Sequence, residues 1–593
     1  MATKKRAEIE ERLKWKLEDI FETNEAWEKK FSLLKEEVSA FSKYEGKVSE
    51  KPLEVLAACS ELAQKLSKLY GYCFMRKDED NTVSLYQGMT DRAMSLYVAF
   101  SAACSFIEPE LLEMPIEKLE EMQKDAKFSD YSERIRLLVR SKAHMLPKEQ
   151  ERLLAMTGEL AQTPDNVFTM LTSADMKFPD ILDSKGETHT LTEGSFVKYL
   201  MSDDRTLRKN AFDTLFSTYE KWGNTIAATY SGNVKADMFR RNARGFESCM
   251  AMSLYPFEIP TSVYHNLVDV VSQNIPTVSR YVELRKKALG LDEVHPYDMY
   301  ASMIPDADKK MSYDEEFELV CEGLAPLGED YIKVLRRAKE ERWIDVYENE
   351  GKSSGAYSNG LFGCHPYILL NNQDNLESAL TLAHELGHTM HSYYSNGTQC
   401  FEKADYSLFV AEVASTCNEM LLMSHMLDTM KDETSQKYLC NVLLESFRTT
   451  MVRQTMFAEF ELNAHTMAEN GQPLTKDALC DMYYKLNQKY YGEKEVLDDL
   501  LKVEWMRIPH FYRSFYVYVY ATGFAAAVYL ANRIHTEGAP AVADYKKFLS
   551  AGCSVGPLDA LRLAGVDMEK PDAVHAAMKV FAETLDKLEG LLK

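Results

Sequence analysis

Thr381-Leu-Ala-His-Glu-Leu-Gly-His-Thr389 decides how the rest of the chain reads. It holds His384, Glu385 and His388 in an H-E-x-x-H pattern. Residues four apart on an α-helix share a face, so both imidazoles can reach one metal ion. Glu385 follows the first ligand and projects beside that ion, where it can take a proton from a coordinated water. The flanks predict a helix: Asn375 is a capping residue, and Leu376-Glu-Ser-Ala-Leu-Thr-Leu-Ala383 follows without proline. The pattern is short, and the alternative is an amphipathic helix with surface histidines, so its context must decide.

A catalytic zinc commonly has three protein ligands and a water. His391 lies seven residues from His384, about 10.5 Å along a helix axis, too far for one ion to join both. It reads as a residue supporting the ligands from behind or lining the cavity. A short-spacer glutamate would fall near 407, which is Ser407. Phe409-Val-Ala-Glu-Val-Ala-Ser-Thr-Cys-Asn-Glu419 fits better. It reads as a buried helix, and an acid there is costly unless paired or metal-bound. Glu412 is the expected third ligand. Glu419, two turns on along the same face, is expected to accept from the outer nitrogen of a ligating histidine.

A third stretch, Ile508-Pro-His-Phe-Tyr-Arg-Ser-Phe-Tyr-Val-Tyr-Val-Tyr520, is rich in hydroxyl donors. Acyl transfer through a tetrahedral intermediate needs such a donor for its oxyanion. On a helix, Arg513, Tyr516 and Tyr520 fall on one side and Tyr518 on another. Tyr516 and Tyr520 are the favoured pair, with His510 at the entry. The alternative is an aromatic core stripe.

The chain has 593 residues and a net charge of −23. The acidic surplus disfavours nucleic-acid or anionic-membrane partners, which select basic surfaces. Met1–Arg12 has no apolar run of the kind a secretory signal carries. The longest uncharged run, Phe515–Ala531, is short for a membrane span and carries four tyrosines. Eleven scattered cysteines with no C-x-x-C pair predict reduced thiols and a cytoplasmic protein.

Helical periodicity runs through most of the chain, starting with Glu8–Phe21. Two short extended runs around Asp183-Ser-Lys-Gly186 predict a β-hairpin within 176–192, and Thr192 or Ser195 caps the return to helix. This places a domain boundary near 195, with a helical domain over 1–195 and a catalytic domain over 196–593. Glycines 351, 355, 360 and 363 punctuate a loop carrying Tyr357, and Tyr367-Ile-Leu-Leu-Asn371 reads as a short strand. The fold class is mainly α, with a small β-sheet beside the metal site.

Taken together, these blocks resemble the oligoendopeptidase F family, within the thimet oligopeptidase-like zinc metallopeptidases. Lys14-Trp-Lys-Leu-Glu-Asp-Ile20, Ser173–Pro179, Arg244–Ser248, Ser354–Ser358, Pro366–Asn371, His384–Tyr394, Phe409–Glu419 and Pro509–Gly523 stand in family order along nearly the whole chain. The resemblance implies a zincin-like catalytic domain, a helical N-terminal domain and a deep channel that admits oligopeptides rather than folded proteins. It implies one Zn2+ per chain on His384, His388 and Glu412. Glu385 would be the general base, and His510, Tyr516 and Tyr520 the oxyanion and substrate group. Tyr357, Tyr367, Leu369 and Asn371 would contact substrate, with 367–371 as an edge strand pairing with the peptide backbone. The expected activity is hydrolysis of internal peptide bonds. The rival readings are an inactive helical peptide-binding protein, which would bind no zinc, and an exopeptidase of similar fold, which would need a charge to grip a peptide terminus.

Overall fold

The computed structural model of the chain describes residues 4–304 and 309–593, the side chain at 493 excepted. Helices dominate. Those used below are α1 (Pro52–Glu79), α2 (Ser84–Cys104), α3 (Arg205–Arg244), α4 (Leu376–Thr398), α5 (Leu408–Thr429), α6 (Arg453–Glu469) and α7 (Tyr518–Glu537). The strands are β1 (Ile181–Leu182), β2 (Thr188–His189), β3 (Ile344–Asp345), β4 (Tyr357–Asn359) and β5 (Tyr367–Leu369). Among the described residues, no helix is long and apolar enough to cross a membrane.

By its internal contacts the chain forms two compact units. One comprises Met1–Ala143, Asp308–Met426 and Leu530–Val566; the other comprises His144–Ala307, Leu427–Tyr529 and Asp567–Lys593. The units interleave in sequence, unlike the single linear division near 195 expected above.

In the first unit, α1 and α2 pack against each other over a core that includes Trp27, Leu69 and Tyr72. Trp27 Nε1 donates to Leu69 O at 2.9 Å, so the buried indole keeps a partner. The same core runs into the sheet through Tyr367 and Leu369. The strand order is β3-β5-β4, with β3 parallel and β4 antiparallel to β5.

The expected helix over Glu8–Phe21 is replaced by three short 3-10 turns, at Arg6–Glu8, Glu11–Leu13 and Leu17–Asp19. Long-range bonds override the helical pattern. Lys16 N–H donates to Arg342 O and Val346 N–H to Leu13 O, so this segment lines the outer side of β3. Trp15 Nε1 donates to Glu79 Oε1, and Arg6 pairs with Glu79 and Asp345.

In the second unit, β1 and β2 form the expected hairpin, with Ile181 opposite His189 and Leu182 opposite Thr188. Gly186 turns it at φ +82°, a conformation open to glycine without strain. Thr192 and Ser195 then form a reciprocal capping box on the next helix. The long α3 follows, capped by Asp204 at its start and ended by Gly245 in the left-handed region.

Candidate metal centre

Helix α4 begins where its sequence says it should. The Asn375 side-chain oxygen accepts from Ser378 N–H at 2.9 Å. Two turns further on, His384 and His388 present their Nε2 atoms 3.2 Å apart. Helix α5 brings Glu412 to both: its Oε2 lies 3.4 Å from His384 Nε2 and 3.6 Å from His388 Nε2. Ligands about 2.1 Å from a tetrahedral ion stand about 3.4 Å from one another. The triangle formed by these three donor atoms therefore has the size that such an ion requires, and its N,N,O chemistry suits a divalent metal.

Glu419 supports the triangle from behind. Its Oε1 lies 2.5 Å from His384 Nδ1. Were an ion to displace the Nε2 proton, Nδ1–H would stay with Glu419 and Nε2 would offer its lone pair. Ser415 Oγ donates to the Glu412 carbonyl at 2.9 Å and approaches its Oε2 at 3.2 Å, steadying the carboxylate. Glu412 is not immersed in a dry core as its apolar neighbours suggested, since its side chain retains 42% exposure.

Charge follows this geometry. Hydrogen bonds from His384 and His388 hold the Glu412 carboxyl well below the usual carboxylate range. Burial disfavours the charged form of His384, yet bonds to Glu412 and Glu419 lift its pKa to about 10. Glu385 is 6% exposed, and burial raises its pKa against the pull of the two histidines. Its Oε2 has no protein hydrogen-bond partner. A basic carboxylate with a lone oxygen beside a metal triangle is equipped to move a proton.

Several supporting residues escaped the sequence reading. Asn418 Nδ2 donates to Ala383 O at 3.1 Å, and its Oδ1 accepts from Tyr331 at 3.1 Å, which ties α5 to α4. Thr389 and Ser358 share a hydroxyl bond of 2.8 Å, linking α4 to β4. The signal for Asn418 was a lone amide in an apolar helix. His391 is buried away from the donor atoms. It stacks on Tyr406 with ring centroids 3.6 Å apart, and burial lowers its pKa to about 3.

The second unit carries the aromatic cluster. The Tyr516 and Tyr520 hydroxyls are 3.0 Å apart, with the His510 ring 6.2 and 5.9 Å from theirs. Arg513 lies over the Tyr516 ring at 4.3 Å. Burial, then the Arg513 charge, lowers the His510 pKa. The tyrosine pair was expected from helical spacing, but α7 starts only at Tyr518. Phe515 instead turns the chain at φ +57°, its N–H given to buried Glu461 at 2.5 Å.

A family profile described as Peptidase family M3 matches residues 198–580, and one described as Oligopeptidase F matches 110–178. The chain belongs to peptidase family M3. The peptidase is 44% identical to Oligopeptidase PepF of Bacillus subtilis (strain 168), over 99% of this chain and 88% of that protein. It is 39% identical to Group B oligopeptidase PepB of Streptococcus agalactiae, over 99% of this chain and 98% of that protein. The crystal structure of oligoendopeptidase-F from Enterococcus faecium matches at 34% identity and a TM-score of 0.74, covering 96% of this chain and 99% of that one. The chain is thus a metallopeptidase of the oligoendopeptidase F group, a hydrolase acting on oligopeptides.

The strand expectations need correction for this peptidase. β5 is the central strand of its sheet, not an edge. Tyr367 and Leu369 are fully buried, and the Tyr367 hydroxyl donates to Lys16 O. Asn371 Nδ2 donates to Ser353 O and Gly355 O, bracing the glycine-rich loop. Burial closes Tyr367 and Leu369 to substrate, whereas Asn371 is half-buried and has its amide N–H groups committed to the loop. Tyr357 lies on the edge strand β4, with its hydroxyl given to Asp78.

Proposed function

We propose that this peptidase is a zinc-dependent endopeptidase that cleaves internal bonds of short peptides. The observation that carries the reading is the triangle of His384 Nε2, His388 Nε2 and Glu412 Oε2 beside the buried Glu385 carboxylate. These three residues would hold the ion. Bound there, zinc would supply Lewis acidity and make water at the site more acidic. Glu385 takes the proton of the attacking water and then delivers it to the leaving amine. Glu419 keeps the His384 ring oriented throughout.

His510, Tyr516 and Tyr520 are assigned the oxyanion and substrate role. Their support is the paired hydroxyls and the burial and Arg513 charge that lower the His510 pKa and so favour its neutral ring. The open edge of β4 is assigned to the peptide main chain in place of β5. An enclosed channel that limits substrate length and a cytoplasmic location complete the reading; eleven free cysteines support the latter.

The test is digestion of a mixed peptide library by the zinc-loaded protein, read by mass spectrometry with and without chelator. Internal cleavage that disappears with the metal and declines for long chains supports the reading. A fully zinc-loaded protein that releases only terminal residues, or cleaves nothing, defeats it.

A further inference from the structure

The two faces of the small sheet differ, and the difference bears on which peptides fit. Ile368 N–H donates to Trp343 O, and Leu370 N–H to Asp345 O, both towards β3. Alternation then turns the main-chain groups of Tyr367 and Leu369 towards their β4 partners, Asn359 and Tyr357. Ser358, between those partners, therefore directs its own N–H and C=O to the open edge. Among the described residues, no further strand covers that edge.

Side chains alternate as well. Ser358 faces α4, where its hydroxyl meets Thr389 on the helix of the metal ligands. Tyr357 faces the other way, and its hydroxyl reaches Asp78 at the end of α1. A peptide added along β4 must alternate in the same manner, so every second side chain points to the α1–α2 face. On that face lies a cavity of about 480 Å³ lined by Tyr70, Phe74, Met94, Tyr97, Tyr357 and Leu361. Tyr70 stacks on Phe74 at 5.8 Å, and Phe74 lies 6.0 Å from Tyr357. Met94 and Tyr97 are 45% and 38% exposed. Gly71 leaves the floor open for Leu361, whose Cδ2 would stand 2.7 Å from a Cβ there.

We propose that this cavity is a specificity pocket that receives a large apolar side chain of the bound peptide, aromatic ones above all. The inference rests on the reading above that the peptide pairs with β4. Continuity between the pocket and the open strand edge identifies the occupant, because Tyr357 and Ser358 belong to both. Ring-on-ring contacts and the burial of apolar surface supply the selectivity.

The test is a positional scan of peptides that places Phe or Ala at each site in turn, assayed on the zinc-loaded protein. One position is expected to favour Phe over Ala by roughly tenfold to a hundredfold in kcat/KM, mostly through KM. The double change Met94→Ala with Tyr97→Ala should bring that ratio close to one. Ser67→Trp, which projects into the cavity from α1, should invert it. The proposal is overturned if no position favours Phe, or if the preference survives both changes. Anisotropy of labelled Phe and Ala peptides on Glu385→Gln protein reads the same preference without turnover. Lost catalysis with an intact binding preference would count against the catalytic reading alone, whereas equal binding of the two peptides would sink the pocket.

Discussion

Gly387 and Ser415 meet backbone to backbone: a Cβ on Gly387 would stand 2.5 Å from Ser415 Cα and 2.7 Å from Ala414 O. Glycine in a helix interior is about 1 kcal/mol less favourable than alanine, and here it permits the approach of α4 to α5. Gly387 precedes His388, and Ser415 lies one turn beyond Glu412. The contact therefore sets the spacing between His388 and Glu412, the candidate ligands on different helices.

Gly387→Ala should push those helices apart. Overpacking of this kind costs about 1–3 kcal/mol, so the melting temperature should fall and zinc should bind more weakly. Gly88→Ala, in α2 with nothing within 4 Å of the new methyl group, should instead be neutral or stabilising by up to about 1 kcal/mol. Thermal unfolding with and without zinc compares the two, and a Gly387→Ala protein of wild-type stability would contradict the packing argument.

Glu385→Gln preserves shape and removes the base. Turnover should drop by about 10²–10⁴-fold, while the zinc content stays at one ion per chain. Kinetics alongside metal analysis check this, and near-normal turnover would exclude Glu385 as the proton carrier.

Glu419→Ala frees His384 Nδ1 without touching a ligand atom. Zinc affinity should fall by about 10–100-fold, read by competition against a chelator. Glu419→Gln keeps an acceptor for Nδ1–H and should lose less. Equal losses in both variants would point to charge rather than ring orientation.

Glu316 gives the chain a pH dependence. Its carboxyl is fully buried, and its Oε2 accepts from Asn372 at 2.5 Å. Burial raises its pKa from 4.5 to about 7. The folded state then holds the proton more tightly than the unfolded chain. Its stabilising contribution is complete below about pH 4.5 and is lost as pH rises through about 7, at most about 3 kcal/mol in all. Glu316→Gln should flatten the melting temperature between pH 5 and 8, and an unchanged slope would place the dependence elsewhere.

Much of the candidate site was legible because it depends on local geometry. The i,i+4 histidines, the seven-residue spacing of Glu412 and Glu419, the Asn375 cap and the Thr192–Ser195 box each need only one helix or one turn. Local spacing also paired Tyr516 with Tyr520, though through a turn at Phe515 rather than the continuous helix assumed. The Phe515 conformation depends on Glu461, 54 residues away in sequence, which no local pattern could announce.

By itself, then, the sequence determined the mainly helical class and a hairpin within 176–192, since each follows from short-range periodicity and hydrogen bonding, and it singled out His384, His388 and Glu412, whose donor atoms only the fold brings together. Tertiary structure decided which strand lies at the edge. β5 has a strand's apolar pattern in either position, and only its pairing with residues 344–345 and 357–359 makes it central. It likewise turned Glu8–Phe21 from a predicted helix into a strap along β3, because bonds to Arg342, Val346 and Asp345 outweigh local propensity. A strand's place in a sheet, and the cavity beside it, are properties of partners distant in sequence, and only the folded chain brings those partners together.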